Sequence, residues 1–317
     1  TKIKNINPSK KSQSDFFSDS VSLISKILFS NKPDYLIVQG DTNTSLAGCV
    51  AAYLFNRGLN KKDKIKIVHI ESGLRSFDDS MPEEINRKII DRLSDILFPP
   101  TNFDFNNLKR DNCVKDKKVF IVGNTISDVL KKYLVLTNKS KILKKLNLIK
   151  RNFFLVTLHR PESVDNKKNL MKLIKALKIL CEQYKHPIIF PIHPRTKNNL
   201  KKLNLSFDKK IKIIEPLEYL DFLKLMKDAR IILSDSGGLQ EEASIIGTPC
   251  VTLRTTTERQ ITVIKKVNIL AGYNKKKIIL SVKKFYNKRI SKIKDFGSGN
   301  VTEKIYKKLK LLSNQSM

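Results

Sequence analysis

Short apolar runs alternate along the chain with longer segments whose apolar residues recur every three to four positions. Runs of the first kind, at 35–39, 66–69, 96–98 and 119–122, read as strands; segments of the second kind, at 44–55, 82–94, 103–111 and 126–136, read as helices. After a Lys- and Asn-rich stretch at 137–151, expected to connect two domains, the rhythm restarts. Strands are expected at 154–158, 188–192, 211–214, 231–234 and 250–253, helices at 170–183, 219–227 and 239–245, and a closing amphipathic helix at 301–312. Alternation of this kind predicts parallel sheets with crossover helices. The fold class is therefore α/β: two Rossmann-like, doubly wound domains facing a cleft. The first spans 1–150 and is joined by a C-terminal helix at 300–317; the second spans 151–299. A helix-like segment at 16–29 precedes the first strand-like run, so the first domain is expected to lack its opening βαβ unit.

The unusual clusters follow predicted strands, where loops carry function. In LSDSGGLQEEA (233–243) a strand gives way to Ser236, Gly237 and Gly238 at a helix start. Exposed amides and the helix dipole make such a turn an anion cradle. Glu242 lies one turn further on, where a carboxylate can accept from a ribose diol. LRTTTER (253–259) repeats the pattern: Thr257 suits a cap and Arg259 offers a forked donor to phosphate oxygens.

In the first half, VQGDTNT (38–44) sets Asp41 at a strand end, and HIESGLR (69–75) sets Glu71 and Arg75 at the next. SMPEEINR (80–87) supplies Glu83. Each acid has an ordinary explanation, Asp41 as an N-cap and Ser80 with Glu83 as a capping box. Three at the ends of adjacent elements point instead to acid/base chemistry. LVTLHRPE (155–162) and FPIHPR (190–195) place His159, Arg160 and His193 after strands, whereas His186 reads as a surface residue.

Composition adds limits. No apolar run is long enough to span a bilayer, and no apolar segment follows the basic N-terminal residues as in a signal peptide. The absent initiator Met suggests an incomplete chain. Four cysteines without paired spacing indicate neither a zinc site nor a disulfide framework and suit a reducing cytoplasm, with Cys49 and Cys250 reading as core residues. The net charge of +32 raises nucleic-acid binding, but the lysines are dispersed along helices with little aromatic interleaving, so surface drift toward lysine is the simpler account.

Taken in order, Gly40-Asp41-Thr42, the 69–75 and 82–87 stretches, Gly123-Asn124-Thr125, His159-Arg160, 234–243 and 256–259 resemble the non-hydrolysing UDP-N-acetylglucosamine 2-epimerase family. The resemblance implies the glycosyltransferase-B arrangement of two Rossmann-like domains and the inversion of C2 in a UDP-N-acetylhexosamine through a 2-acetamidoglucal. It implies Asp41, Glu71 and Glu83 as acid/base groups and His159 as stabiliser of the departing diphosphate. Ser236, Gly237, Gly238 and Arg259 would hold phosphates, Glu242 the ribose, Phe222 the uracil, and His193 a further nucleotide-side position. No metal or other cofactor is implied; a cytoplasmic homodimer without nucleic-acid or membrane partners is. Family members open with a strand and a Gly-Thr-Arg-Pro-Glu turn that this sequence does not show, so low stability and activity are expected of the chain as written. The alternatives are a hydrolysing epimerase, which releases free N-acetylmannosamine, and a UDP-sugar glycosyltransferase of the same fold.

Overall fold

A computed structural model describes residues 12–60, 63–203, 209–288 and 290–314. The chain divides into two compact units, one of residues 1–124 with 301–317 and one of residues 125–300.

The first unit runs α1 (Gln13–Asn31), β1 (Tyr35–Gln39), α2 (Asn43–Phe55), β2 (Lys66–Ile70), α3 (Pro82–Leu93), β3 (Ile96–Phe98), α4 (Asn102–Arg110) and β4 (Lys118–Val119). Its strands form one parallel sheet in the order β1-β2-β3-β4. Small residues let α2 lie close to that sheet: Ala47, Gly48, Cys49, Ala51 and Ala52 are buried, and a Cβ on Gly48 would already touch Val38 and Leu36. β4 is shorter than the apolar run at 119–122 suggests. Beyond it the amides of Phe120, Val122 and Gly123 bond to carbonyls of Leu97, Pro99 and Pro100, so this stretch follows β3 and the turn after it rather than extending β4.

The second unit holds α5 (Ile126–Leu136), α6 (Ile142–Lys145), β5 (Phe154–Thr157), α7 (Pro161–Val164), α8 (Lys167–Tyr184), β6 (Ile188–Pro191), α9 (Pro194–Lys202), β7 (Ile211–Ile214), α10 (Tyr219–Asp228), β8 (Ile231–Ser234), α11 (Gly237–Ile246), β9 (Cys250–Thr252), α12 (Gln260–Ile264), β10 (Asn268–Leu270) and α13 (Lys275–Tyr286). Its parallel strands run β10-β9-β8-β5-β6-β7, winding outward in both directions from the β5–β8 pair. Two buried clusters cover the two faces. Phe154, Val156, Phe190 and Leu233 join α8 and α13 on one; Phe153, Leu155, Ile189 and Ile232 join α10 and α11 on the other. Near-continuous apolar strands are what burial on both faces requires.

Residues 125–150 were expected with the first domain but sit with the second unit. Leu130 and Ile142 are buried in the second of these clusters, and the intervening stretch is partly helical rather than an open connection. The last helix, α14 (Val301–Asn314), belongs to the first unit, with Val301 and Ile305 packed on Val68, Ile96 and Phe98. Tyr35 Oη lies 3.0 Å from Ser313 Oγ, fastening the helix to the start of β1. Among the described residues no helix is long and apolar enough to cross a membrane.

Candidate active site

In the second unit the strand order reverses between β5 and β8, where Thr157 Oγ1 and Ser234 Oγ meet at 2.7 Å. Doubly wound sheets bind ligands outside the carboxyl ends of their strands at such a switch point. β5 delivers His159 there and β8 delivers Asp235 and Ser236. α11 begins immediately, with Ser236 as its N-cap residue and no side-chain hydrogen bond capping it. Its first turn thus offers backbone amides and the positive end of the helix dipole to an anion. A Cβ at 237 would come 2.2 Å from Glu258 Oε1 and force that side chain to shift, while a Cβ at 238 would meet nothing within 4 Å.

Asp235 was not singled out by the sequence, yet it organises this end of the sheet. Fully buried, it accepts from the backbone amides of His159 (3.0 Å to Oδ2) and Arg160 (2.9 Å), and its Oδ1 lies 3.1 Å from His159 Nδ1. Burial alone would raise its pKa; the His159 hydrogen bond and charge, with the two amides, outweigh it and hold the carboxyl below the ordinary aspartate value. The Nδ1 contact turns the opposite ring nitrogen of the half-exposed His159 outward. The His193 ring lies 5.9 Å away, and His193 is the N-cap residue of α9, its Nδ1 accepting from Arg195 N at 3.2 Å.

The remaining expected residues of this unit are placed as follows. Glu242 accepts from Tyr219 Oη at 2.9 Å; burial raises its pKa, against the lowering effect of that bond. Arg259 pairs through Nε with Glu241 Oε1 at 3.0 Å, and Thr257 Oγ1 accepts from Arg259 N. Phe222 is partly buried against the α10–α11 cluster. Beneath the turn, buried Gln240 accepts from Thr257 Oγ1 (2.8 Å) and Asn268 Nδ2 (3.0 Å), which ties the start of α11 to the loop after β9.

In the first unit Asp41 and Glu71 stand just past the ends of neighbouring strands. The sheet ladder continues between their loops, with Gly40 N donating to Ile70 O at 3.0 Å. Glu71 has a left-handed backbone (φ 68°), unfavourable for a side chain with a Cβ, and accepts from Gln39 Nε2 at 2.7 Å. The next turn needs Gly73, where φ is +79° and a Cβ would come 2.3 Å from Asp104 O. Below it lies a buried ionic knot. Asp91 is bonded to His69 Nδ1 (2.8 Å), Arg75 Nη1 (2.7 Å) and Gly73 N (3.2 Å), and His69 Nε2 faces Gly40 O at 3.1 Å. This knot locks the loop that carries Glu71 to the loop that carries Asp41.

α3 closes the group. Asn86 Nδ2 donates to Asp41 O (2.9 Å), and Arg87 donates to Asp41 Oδ2 through Nε (3.1 Å) and Nη2. Residues 83, 86 and 87 share one helix face, so Glu83 sits on the face that grips the Asp41 loop. The capping box expected of Ser80 and Glu83 does not form: Met81 is the N-cap residue, without a side-chain cap bond, and Ser80 instead donates its N–H and Oγ–H to Asp78 Oδ1. The sequence reading missed a member of the group and misplaced a histidine elsewhere. Glu84, beside Glu83, is fully buried and ion-paired with Arg87. His186, expected on the surface, is 9% exposed and bonded to Tyr286 Oη at 2.7 Å, away from the site. Among the described residues, no group of three or more His, Cys, Asp or Glu side chains is arranged to hold a metal ion.

Comparisons with known proteins bear on this arrangement. A family model described as UDP-N-acetylglucosamine 2-epimerase matches residues 3–310. The UDP-N-acetylglucosamine 2-epimerase of Methanocaldococcus jannaschii is 47% identical over 289 residues, covering 89% of this chain and 76% of that protein. The UDP-2,3-diacetamido-2,3-dideoxy-D-glucuronate 2-epimerase of Pseudomonas aeruginosa is 35% identical over 285 residues, covering 89% and 76%. The crystal structure of the M. jannaschii UDP-GlcNAc 2-epimerase in complex with UDP-GlcNAc and UDP superposes with a TM-score of 0.86 at 44% identity, covering 95% of this chain and 82% of that one.

Proposed function

Because the chain belongs to the UDP-N-acetylglucosamine 2-epimerase family, we propose that it inverts C2 of UDP-N-acetylglucosamine by eliminating and re-adding UDP. The observation that carries this reading is the gathering of Asp41, Glu71 and the Glu83-bearing face of α3 at the carboxyl ends of β1 and β2. The C2 proton is weakly acidic, since no carbonyl adjoins C2 within the ring. Its removal therefore needs a positioned carboxylate and a leaving group that departs in the same process.

In this mechanism one carboxylate takes the C2 proton as the C1–O bond to UDP breaks, and the electron pair of the C–H bond becomes the C1–C2 double bond of 2-acetamidoglucal. A second carboxylic acid then delivers a proton to the opposite face of C2, and UDP oxygen re-bonds to C1. Asp41, Glu71 and Glu83 are the groups assigned to these transfers. The charge that develops on the departing diphosphate falls to the open first turn of α11 and to His159, whose outward nitrogen Asp235 orients. Arg259 also belongs to the phosphate contacts, displaced there from Glu241; Glu242 takes the ribose, Phe222 the uracil, and His193 a neighbouring nucleotide position. A homodimer in the cytoplasm completes the proposal; four buried free thiols are in keeping with a reducing compartment.

The experiment is product analysis by proton NMR after the full-length protein meets UDP-N-acetylglucosamine alone. The expected product is the UDP-linked manno epimer. Free N-acetylmannosamine would identify a hydrolysing enzyme instead, and no change until an acceptor is added would identify a glycosyltransferase.

A further inference from the structure

We propose that Arg87 is a positioning residue that separates the tasks of the two oxygens of Asp41, holding Oδ2 and leaving Oδ1 to exchange the proton with the sugar. This inference rests on the epimerase reading above and adds a group to its machinery.

Both Arg87 contacts with Asp41 fall on one oxygen: Nε at 3.1 Å and Nη2 both reach Oδ2. A bidentate fork would spread the guanidinium over the two oxygens and occupy the reactive edge of the carboxylate. Here the fork is end-on, and the Asp41 side chain remains 27% exposed while that of Arg87 is only 3% exposed. The main chain of Asp41 is held as well, since Asn86 Nδ2 donates to its carbonyl oxygen and to Asn43 Oδ1, each at 2.9 Å.

What prevents Arg87 from turning toward a bidentate grip is Glu84. Arg87 Nη1 donates to Glu84 Oε2, and that same oxygen accepts from Ser76 N and Ser76 Oγ at 2.8 Å each. Glu84 Oε1 accepts from Phe77 N at 3.3 Å. Glu84 is fully buried, so its two oxygens are fixed by the loop before α3, and the guanidinium is fixed by them. The charges also matter. One guanidinium faces two carboxylates, so the cluster keeps one net negative charge, and Asp41 is steadied without being fully neutralised. A lysine, as a single point charge, could reach one carboxylate but could not hold both at this spacing.

A merely structural ion pair joining α3 to the β1–α2 loop would show the same distances, so the test must separate orientation from folding. Arg87→Ala and Arg87→Lys are made in the full-length protein, and turnover, KM, UDP affinity and melting temperature are measured. Misplacement of a reacting group by about 1 Å costs roughly 100-fold in rate, so Arg87→Ala is expected to lose about that factor in kcat, with KM and UDP affinity within about threefold of wild type. Arg87→Lys falls between the two, and added methylguanidine restores part of the turnover of Arg87→Ala but none of Asp41→Asn. The inference is overturned by an Arg87→Ala enzyme with wild-type kcat, or by a loss of kcat that follows the unfolded fraction and is untouched by methylguanidine. A wild-type protein that turns over no UDP-sugar would defeat the epimerase reading itself; an active wild type with an equally active Arg87→Ala defeats this inference alone.

Discussion

Asp235 Oδ1 lies 3.1 Å from His159 Nδ1, and the same carboxylate accepts the backbone amide of His159, so one buried acid sets both the ring and the main chain of the residue after β5. Asp235→Asn keeps an oxygen for the amides but replaces the acceptor at Nδ1 with a choice of orientations. Turnover is expected to drop by about 100-fold, because the ring no longer presents one nitrogen to the departing diphosphate, while UDP binding changes little. Steady-state kinetics and calorimetric UDP titration of the variant check this.

Acid/base groups and ligand-holding groups should separate in mutant kinetics. Asp41→Asn and Glu83→Gln remove a proton carrier while preserving shape. Each is expected to lower kcat by about 100- to 10,000-fold and to leave UDP affinity intact. Arg259→Ala should do the reverse and mainly weaken UDP binding. A Glu83→Gln variant that loses melting temperature but not turnover would show that Glu83 serves the helix and not the sugar.

The ionic knot under Glu71 makes a statement about acid stability. Burial would raise the pKa of Asp91, but the hydrogen bonds and charges of His69 and Arg75 prevail and hold it below the ordinary 3.8. A depressed folded-state pKa means that the stabilisation is fully present above the unfolded value and is lost as pH falls from there through the folded value. Asp91→Ala leaves Arg75 and His69 buried without their shared anion. Its expected cost is about 3–5 kcal/mol at neutral pH. The deficit relative to wild type should shrink below pH ~4, as read by denaturant melts across pH.

Glu242 shifts the opposite way. Burial lifts its carboxyl above the ordinary glutamate value of 4.5. A ribose diol donates best to the ionised form, so UDP affinity should start to fall on acidification at a higher pH than an ordinary glutamate would give. Glu242→Gln is expected to bind UDP more weakly at neutral pH and to lack that acid limb. Calorimetric titrations of both proteins between pH 5 and 8 are the check.

The alternation of strands and helices was legible because fully buried parallel strands read as apolar runs, and most elements lie where the pattern placed them. The clusters at strand ends were legible for the same topological reason. The partners that aim them were not. Glu83 and Glu84 are adjacent, and only the phase of α3 against the sheet decides which is buried on Arg87. Asp91 and Asp235 are ordinary letters in a helix and a turn until tertiary structure supplies their cations. The capping box failed because Asp78, two residues before Ser80, captured it in a local turn. Residues 137–151 looked like a connection because their Lys and Asn content hides the buried Ile142.

In the proposed reaction a carboxylate of the first unit removes the C2 proton of the sugar. Running the reaction in D2O with UDP-N-acetylglucosamine alone and following the C2 signal by NMR tests that most directly. The expected result is a UDP-linked manno product carrying deuterium at C2, with exchange and product formation in Asp41→Asn and Glu83→Gln each slowed by about 100- to 10,000-fold. Epimer formed with its original C2 proton retained, or deuterium entering at an undiminished rate in both variants, would contradict it.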